Sequence, residues 1–510
     1  MLTALAFPPL PLGLLVLVSL TPLLAVLDDD PRPGFRRGFT RGALFGAVFY
    51  ALLLAWLWDL VRFTPLIVPT WALSSLYLGG LVGLAAGAAA WLRARTGRSA
   101  ALLLPVPWLA LEKLLQYGDL RFTWGVLADA IAPFPVLIQT AELWGAPGLS
   151  LLIVIVNGLL FTLWRRRLDP AGRRTPALGA VAVAALVPAY GAWRLAGDAS
   201  DGPDQTVRIA VVQPNVPQEV RDDPRRDDVE KERLFALSRR ALAADPDLVV
   251  WPETAAPWLR YDPGYVRDLR ELCCAGSDRG TPFLVGGLDA EDPGGDVERI
   301  YNAAFLMSAD GELASIYRKV LLVPMTEQVP YAALLGWLKP DAWSGVFRSG
   351  AGFHTLRFDA RPPGWQGSVE VGVPICYEII FPQAIRGFRR AGARLIVTIT
   401  NDAWFGRTAA PYQHFSQLAL RAVENRVPIA RAANTGISGF VSASGRTLQE
   451  SRIFVPGVLV ADLGLPGPPT PYARWGDWIV PASAAVLALV LVAGRRTARR
   501  RGRGDRRPPV

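Results

Sequence analysis

The chain has 510 residues, of which 51% are hydrophobic and 19% charged, and its formal net charge is +10. This composition is too apolar for a soluble protein of this length, and three cysteines are too few for a disulfide framework. Eight Arg and one Asp lie in 494–510, so seven of the ten net charges belong to a short tail, and we expect no nucleic-acid-binding surface. His354 and His414 lie far apart and no Cys-x-x-Cys pair occurs, so we expect no metal site.

Apolar runs dominate the first 200 residues and return near the end of the chain. A helix needs about 20 apolar residues to cross a bilayer. Spans are predicted at 10–27, 42–61, 71–92, 100–115, 148–164, 178–193 and 478–493. Asp129, Pro133 and Pro135 interrupt the apolar stretch 124–143, which favours an interfacial or re-entrant segment. We therefore predict a transmembrane helical domain over 1–200, with about six spans, and a C-terminal transmembrane helix over 476–494.

Arginines cluster in alternate loops between these runs. Basic residues occupy 36–41, 93–98, 165–167 and the tail 495–510, whereas the loops 63–69 and 117–146 contain few of them. Basic loops stay on the cytoplasmic side of a membrane. This pattern predicts a multi-pass protein of the cytoplasmic (inner) membrane, with a cytoplasmic tail and with the block 204–471 facing the periplasm or outside.

The outward block alternates segments that are typical of strands and of helices. Strands are predicted at 207–212, 248–251, 283–287, 302–307, 369–376 and 395–400. Helices are predicted at 229–244, 265–275, 381–391 and 412–426. Such alternation is typical of a layered α/β domain.

Three reactive side chains, Glu253, Lys319 and Cys376, are spread through this block. The alternating apolar residues 369–375 predict that Cys376 ends a buried strand and begins a turn, a geometry that exposes a nucleophile near free backbone N–H groups. Taken singly, a buried structural cysteine, a surface carboxylate and a solvated basic pair are the ordinary interpretations. Taken together, a base, a cation and a thiol suit acyl transfer through a thioester.

The order and spacing of these residues resemble the Glu–Lys–Cys triad of the nitrilase (carbon–nitrogen hydrolase) superfamily over about 207–462. The strings WPETAAP at 251–257, CYEII at 376–380 and NDAWFG at 401–406 are similar to those of the apolipoprotein N-acyltransferase family. So are QHF at 413–415 and RAVE at 421–424. The resemblance implies an αββα sandwich attached to a multi-span membrane domain.

The resemblance also implies roles and partners. Glu253 would be the proton acceptor, Cys376 the nucleophile, and Lys319 the oxyanion stabiliser together with a backbone N–H near Tyr377. The acyl donor would be a membrane phospholipid, and the acceptor the α-amine of a diacylglyceryl apolipoprotein. No cofactor is implied, because the donor is already an ester, and the protein is expected to be a monomer. We also expect the Lys319 ammonium to lower the pKa of the thiol.

Four further residues are candidates for supporting roles. Glu327 and Glu378 are expected to orient Lys319 and to help position the acyl carbonyl, while Asn302 and Trp404 are candidates for substrate binding. The family usually has Pro-Phe-Gly-Glu where this chain has PMTE at 324–327, so the lipid pocket or the loop is expected to differ there. The family also typically has eight spans against the seven runs found here, which a misplaced start codon or a genuine loss would explain equally well.

Two alternatives belong to other functional classes. A membrane-anchored amidase or nitrilase would use the same three residues to hydrolyse a C–N bond, although an anchor needs one span rather than six. A non-catalytic transporter or scaffold would be expected to lack at least one member of the triad, and all three members are present.

Overall fold

A computed structural model of the chain describes residues 1–200, 205–218, 227–275, 280–291, 299–335, 347–360 and 367–504. The first 200 residues are helical, the strands begin at Thr206, and two helices follow the last strand. The helices of the first part are α1 (Leu2–Leu5), α2 (Thr21–Asp28), α3 (Phe35–Leu53), α4 (Ile67–Thr96), α5 (Ala100–Leu103), α6 (Pro105–Leu114), α7 (Pro135–Ile138), α8 (Ala141–Arg165) and α9 (Pro170–Ser200). Turns of 3₁₀-helix lie at Gly13–Leu17, Ala55–Arg62 and Leu127–Ile131.

Within the described residues, three helices are long and apolar enough to cross a membrane: α4, α8 and the part of α9 from Ala171 to Gly197. Helix α3 and the 3₁₀ turn after it meet the same criterion together, although they are bent by 49°. These four segments correspond to the predicted runs 71–92, 148–164, 178–193 and 42–61.

Two predicted runs differ in the structure because each is divided. The run 100–115 is split between α5 and α6, and Pro105, which cannot donate a backbone hydrogen bond, is the first residue of α6. The run 10–27 is split between the 3₁₀ turn Gly13–Leu17 and α2. The stretch 124–143 contains only short elements before α8, in agreement with the predicted interruption.

Twelve described strands form the outward block. They are β1 (Thr206–Gln213), β2 (Leu248–Val250), β3 (Phe283–Glu291), β4 (Arg299–Met307), β5 (Leu313–Arg318), β6 (Thr355–Ala360), β7 (Gly367–Gly372), β8 (Leu395–Thr400), β9 (Ile429–Ala433), β10 (Gly439–Val441), β11 (Thr447–Glu450) and β12 (Gly457–Gly464). One sheet has the order β12-β1-β2-β3-β4-β5 and the other β11-β10-β9-β8-β7-β6. The remaining helices are α10 (Asp227–Leu242), α11 (Pro263–Cys274), α12 (Ala332–Leu335), α13 (Pro382–Arg390), α14 (Ala410–Asn425), α15 (Pro471–Trp475) and α16 (Ile479–Gly504).

The two sheets pack between helices, so the predicted αββα sandwich is confirmed. Along β1, Ile209 and Val211 face the core shared by both sheets, whereas Ala210 and Val212 face the core under α10 and α11. This two-residue alternation is the one expected for a strand that is buried on both faces. On the far side, α13 packs against β7 and α14 against β10. The predicted strand 369–376 is shorter than expected, because β7 ends at Gly372 and only Ile375 pairs again, with Ile399.

Candidate active site

Cys376 lies at a sharp turn between β7 and a 3₁₀ turn that runs from Cys376 to Ile380. Its φ is +51°, a conformation that residues other than glycine rarely adopt. The preceding residue, Ile375, still bridges to Ile399 of β8, so the thiol leaves the sheet edge directly after the last pairing. The predicted elbow is therefore present, and Cys376 is only partly buried.

The surroundings of Cys376 favour the neutral thiol. Burial raises the pKa of the Cys376 thiol and the Glu253 carboxylate raises it further, whereas the Lys319 ammonium lowers it without offsetting these two effects. Lys319 thus acts on the thiol in the expected direction, but the net pKa is raised, because desolvation and the Glu253 carboxylate outweigh the ammonium. A neutral thiol must lose its proton to a base as it attacks.

Glu253 follows β2 and is held by two amide donors. One carboxylate oxygen, Oε1, accepts a hydrogen bond of 2.7 Å from Nδ2 of Asn302, and Oε2 accepts one of 2.8 Å from the backbone N–H of Asn401. Oε1 also lies 3.6 Å from Nζ of Lys319. These contacts fix the carboxylate at the end of a buried strand, next to the cation and close enough to Cys376 to act on the thiol.

Lys319 follows β5 and is fully buried. Its Nζ donates a hydrogen bond of 2.8 Å to Oε1 of Glu327. Burial would lower the pKa of Lys319, but the carboxylates of Glu327 and Glu253 outweigh it and raise the pKa above its ordinary value. The side chain is therefore an ammonium at neutral pH, and it can stabilise a nearby negative charge.

Asn302 connects the carboxylates of Glu253 and Glu327. Nδ2 of Asn302 donates to Oε1 of Glu253 at 2.7 Å and to Oε1 of Glu327 at 3.2 Å. Oε2 of Glu327 accepts from the backbone N–H of Val323 at 2.9 Å, which ties the loop after Lys319 to the site. Glu327 thus contacts Lys319 as expected, and Asn302, a candidate for substrate binding, orients the two carboxylates.

Glu378 lies behind the turn, and its carboxylate accepts hydrogen bonds mainly from backbone N–H groups. Oε1 accepts from the N–H groups of Val320 at 2.8 Å and Leu321 at 3.0 Å, and Oε2 accepts from that of Ile375 at 2.8 Å. The hydroxyl of Tyr317 donates to the same carboxylate at 2.9 Å. Glu378 therefore joins the loop after Lys319 to the turn before Cys376, rather than contacting the lysine side chain. Burial raises its pKa to about 6.

Tyr377 and Trp404 both contact loops of the N-terminal helical domain. The hydroxyl of Tyr377 donates to the carbonyl oxygen of Arg121, and the ring of Trp404 packs edge-on against Phe63 with 5.1 Å between ring centroids. Trp404 is 39% exposed, although its side chain is large and apolar. These contacts place the site at the junction between the sandwich and the helical domain.

A polar group that the sequence interpretation left without a role lies behind Cys376. It consists of Asp402, which follows β8, His414 on α14 and Arg431 on β9, and all three are almost fully buried. Arg431 donates from Nη2 to Oδ2 of Asp402 at 2.7 Å, and His414 contacts the Cys376 carbonyl oxygen through Nε2 at 3.3 Å. Asp402 follows a predicted strand at the same sheet edge as Cys376, a signal that could have identified it.

Among the described residues, no group of three His, Cys, Asp or Glu side chains could hold a metal ion. The available chemistry is a neutral thiol beside a carboxylate and a buried ammonium. Such a set can take a proton from sulfur, attack a carbonyl carbon and stabilise the resulting oxyanion.

Comparisons with known proteins agree with both parts of the fold. The model of the apolipoprotein N-acyltransferase N-terminal domain matches residues 1–159, and the carbon-nitrogen hydrolase model matches residues 208–467. An apolipoprotein N-acyltransferase of Gloeobacter violaceus is 35% identical, with 98% of this chain and 93% of that protein covered. One of Geobacter metallireducens is 36% identical, with 77% and 74% covered.

Among solved structures, an amidase from Nesterenkonia sp. is 22% identical in sequence, and the match covers 54% of this chain and 95% of the amidase chain. Its TM-score is 0.37, which is too low to carry structural detail to this chain.

Proposed function

Because the chain belongs to the apolipoprotein N-acyltransferase family, we propose that Glu253, Lys319 and Cys376 carry out its acyl transfer. The enzyme is an acyltransferase, with lipoproteins as its substrates and a phospholipid as its acyl donor. The observation that carries the assignment of residues is their convergence: Lys319 lies 3.6 Å from Glu253, and both side chains act electrostatically on the Cys376 thiol.

In the first half-reaction, Glu253 takes the thiol proton while the sulfur attacks an ester carbonyl of the phospholipid. The tetrahedral oxyanion is stabilised by the Lys319 ammonium and by the backbone N–H of Tyr377. The carbon–oxygen bond then breaks, and the departing alkoxide takes the proton back from Glu253. A lysophospholipid leaves, and a thioester remains on Cys376.

In the second half-reaction, the α-amine of the diacylglyceryl cysteine attacks the thioester. Glu253 accepts a proton from the nitrogen, the same two donors stabilise the second oxyanion, and the carbon–sulfur bond breaks. The product is an amide, and the thiol is restored when Glu253 returns its proton to sulfur. Glu327 keeps Lys319 in place throughout, since it accepts from Nζ at 2.8 Å.

The wider arrangement supports a site that faces the outside of the cytoplasmic membrane. Basic loops alternate with the apolar runs, and the block that carries the triad follows α9 on the side whose loops contain few arginines. A hydrolytic amidase would need no helical domain matching that of the acyltransferases over residues 1–159.

The direct test is to incubate the purified protein with phospholipid carrying a labelled acyl chain. A hydroxylamine-sensitive label on Cys376 is expected, and it should transfer to an added diacylglyceryl peptide with a free α-amine. A label that stays on the protein after the peptide is added, or that lies on another residue, would contradict this assignment.

A further inference from the structure

His414 is a buried titratable group that the chemistry above does not use. It lies on α14, directly behind Cys376, and is 1% exposed. Its Nε2 lies 3.3 Å from the carbonyl oxygen of Cys376, while its Nδ1 lies 3.0 Å from Nη2 of Arg431 and 3.2 Å from Oδ1 of Asp402. Both ring nitrogens therefore have fixed neighbours.

These neighbours determine where the imidazole carries its proton. A carbonyl oxygen can only accept, so Nε2 of His414 must carry a hydrogen whether the ring is neutral or charged. Burial and the Arg431 guanidinium lower the pKa of His414, which favours the neutral ring, and Nδ1 then accepts from Arg431. Asp402 in turn accepts two hydrogen bonds, one of 2.7 Å from Nη2 of Arg431 to Oδ2 and one of 3.0 Å from the Thr400 hydroxyl to Oδ1. The ring is thereby kept in one orientation.

The bond to the Cys376 carbonyl has a consequence for the next N–H. The C=O of Cys376 and the N–H of Tyr377 belong to one planar trans peptide, so they point in opposite directions. Fixing the oxygen therefore fixes the direction of the Tyr377 N–H. A donor on the oxygen also polarises the peptide and makes its N–H a stronger donor.

The turn needs such support because its backbone is strained. Cys376 has a φ of +51°, and a non-glycine residue in this region costs about 1–3 kcal/mol unless the surrounding structure holds it. His414 supplies a hydrogen bond from the side of the turn opposite the expected oxyanion.

We propose that His414 is a positioning residue of the oxyanion site, which aims and polarises the Tyr377 N–H through the peptide that follows Cys376. The inference rests on the proposed function, because it requires Cys376 to be the nucleophile. Nε2 of His414 must donate a hydrogen bond to the Cys376 carbonyl oxygen. The imidazole itself does not touch the substrate and exchanges no proton with it.

The two amide side chains give a matched pair of variants. Glutamine can place an N–H near the position of Nε2, whereas asparagine reaches only the position of Nδ1. His414→Gln should therefore keep the bond to the Cys376 carbonyl, and His414→Asn should lose it while remaining polar. Both variants are made in a Cys274→Ser background, because Cys274 is exposed and would react with a thiol reagent.

Two rates are measured on the full-length protein in detergent: thioester formation from labelled phospholipid, and alkylation of Cys376 by iodoacetamide. Alkylation develops no oxyanion, so it reports whether the thiol is correctly placed. The Asn variant is expected to form the thioester about 10- to 100-fold more slowly. This loss is smaller than the decrease of about 10²–10³ in kcat that follows complete removal of an oxyanion donor, because the Tyr377 N–H is weakened and misaimed but still present. Its alkylation rate and its KM for phospholipid should stay near the parent values, and the Gln variant should resemble the parent in all three.

Several results would overturn the proposal. One is an Asn variant that acylates as fast as the parent; another is a parallel loss of acylation and alkylation, which would mean that His414 merely supports the fold. If the Asn protein does not fold, the Gln variant decides alone: acylation near the parent rate would support the donor role, and a parallel loss of acylation and alkylation would overturn it. Failure of the parent protein to form any thioester would instead contradict the proposed function.

Discussion

Replacing Lys319 by Met removes a buried ammonium for which we propose two separate tasks. In the resting site, Nζ lies 2.8 Å from Oε1 of Glu327 and 3.6 Å from Oε1 of Glu253. During the reaction, we expect the same ammonium to stabilise the oxyanion. The substitution should therefore reduce both the stability of the fold and the rate of acylation, and the two effects have different magnitudes.

The catalytic loss follows from the oxyanion role. Removing one preorganised donor costs about 10²–10³ in kcat, or about 2.7–4 kcal/mol of transition-state stabilisation. The structural loss follows from burial, because Lys319 is fully buried and Glu327 is nearly so. Leaving one partner of a buried ion pair without its counter-charge costs about 3–5 kcal/mol.

A second substitution separates the two losses. Glu327→Gln, added to Lys319→Met, removes the nearer of the two stranded negative charges while keeping an oxygen that can accept from Asn302. The double variant should recover most of the unfolding temperature that the single variant loses. It should not recover acylation, because neither Met nor Gln supplies a charge to the oxyanion.

The assay is the pre-steady-state rate of thioester formation from labelled phospholipid, with thermal unfolding followed in the same detergent. Recovery of acylation to within tenfold of wild type in the double variant would refute the reasoning. It would mean that Lys319 serves only to neutralise its carboxylate partners, and that backbone N–H groups alone stabilise the oxyanion.

Four further outcomes are expected. Cys376→Ser should fold but form no product with an amine acceptor, since a hydroxyl is a weaker nucleophile here, whereas Cys273→Ser and Cys274→Ser should acylate normally. Phospholipid alone should release about one lysophospholipid per enzyme as a burst, and steady release without an amine would indicate a hydrolase. The pKa of Glu378 is raised to about 6 in the fold, so the stability of wild type relative to Glu378→Gln should fall as the pH rises from about 4.5 to 6 and stay level above that, as followed by thermal unfolding. Phosphatase fusions ending near residue 300 should be active outside the cytoplasm, and fusions after residues 98 or 503 should not; an inactive fusion near residue 300 would contradict the outward orientation.

The residues of the candidate site that sequence could identify are those at strand ends. Strands were predicted before Glu253, which follows β2, and before Cys376, which follows the pairing of Ile375. Lys319 follows β5, which was not predicted, and it was identified through the family resemblance. The alternation of strand-like and helix-like segments predicted a layered α/β domain, and the two-sheet sandwich was expected from the family resemblance. The strands β5, β6 and β9 to β12 went unpredicted, because three to eight residues without a distinctive pattern give too weak a signal.

Other features depend on contacts between distant parts of the chain. Glu378 accepts from the backbone of Val320, 58 residues earlier, and no local pattern shows that a carboxylate will bind peptide N–H groups rather than a lysine. The direction of the Cys376 pKa shift had the same origin, since it depends on how closely Glu253 approaches and how far the thiol is desolvated. Hydrophobicity alone also overestimated the continuity of the apolar runs, because it does not register where Pro105 begins a new helix.

The contacts around the turn join the sandwich to the helical domain. The residue after Cys376, Tyr377, donates through its hydroxyl to the carbonyl oxygen of Arg121, and the hydroxyl of Thr123 donates to the carbonyl oxygen of Ile380 at 2.8 Å. Both bonds join the segment that follows Cys376 to the loop after α6. A phospholipid ester lies where the head group meets the acyl chains, so an enzyme that attacks it must hold its nucleophile at the edge of the apolar layer. Anchoring the elbow itself to the membrane domain fixes that position more tightly than a flexible tether would.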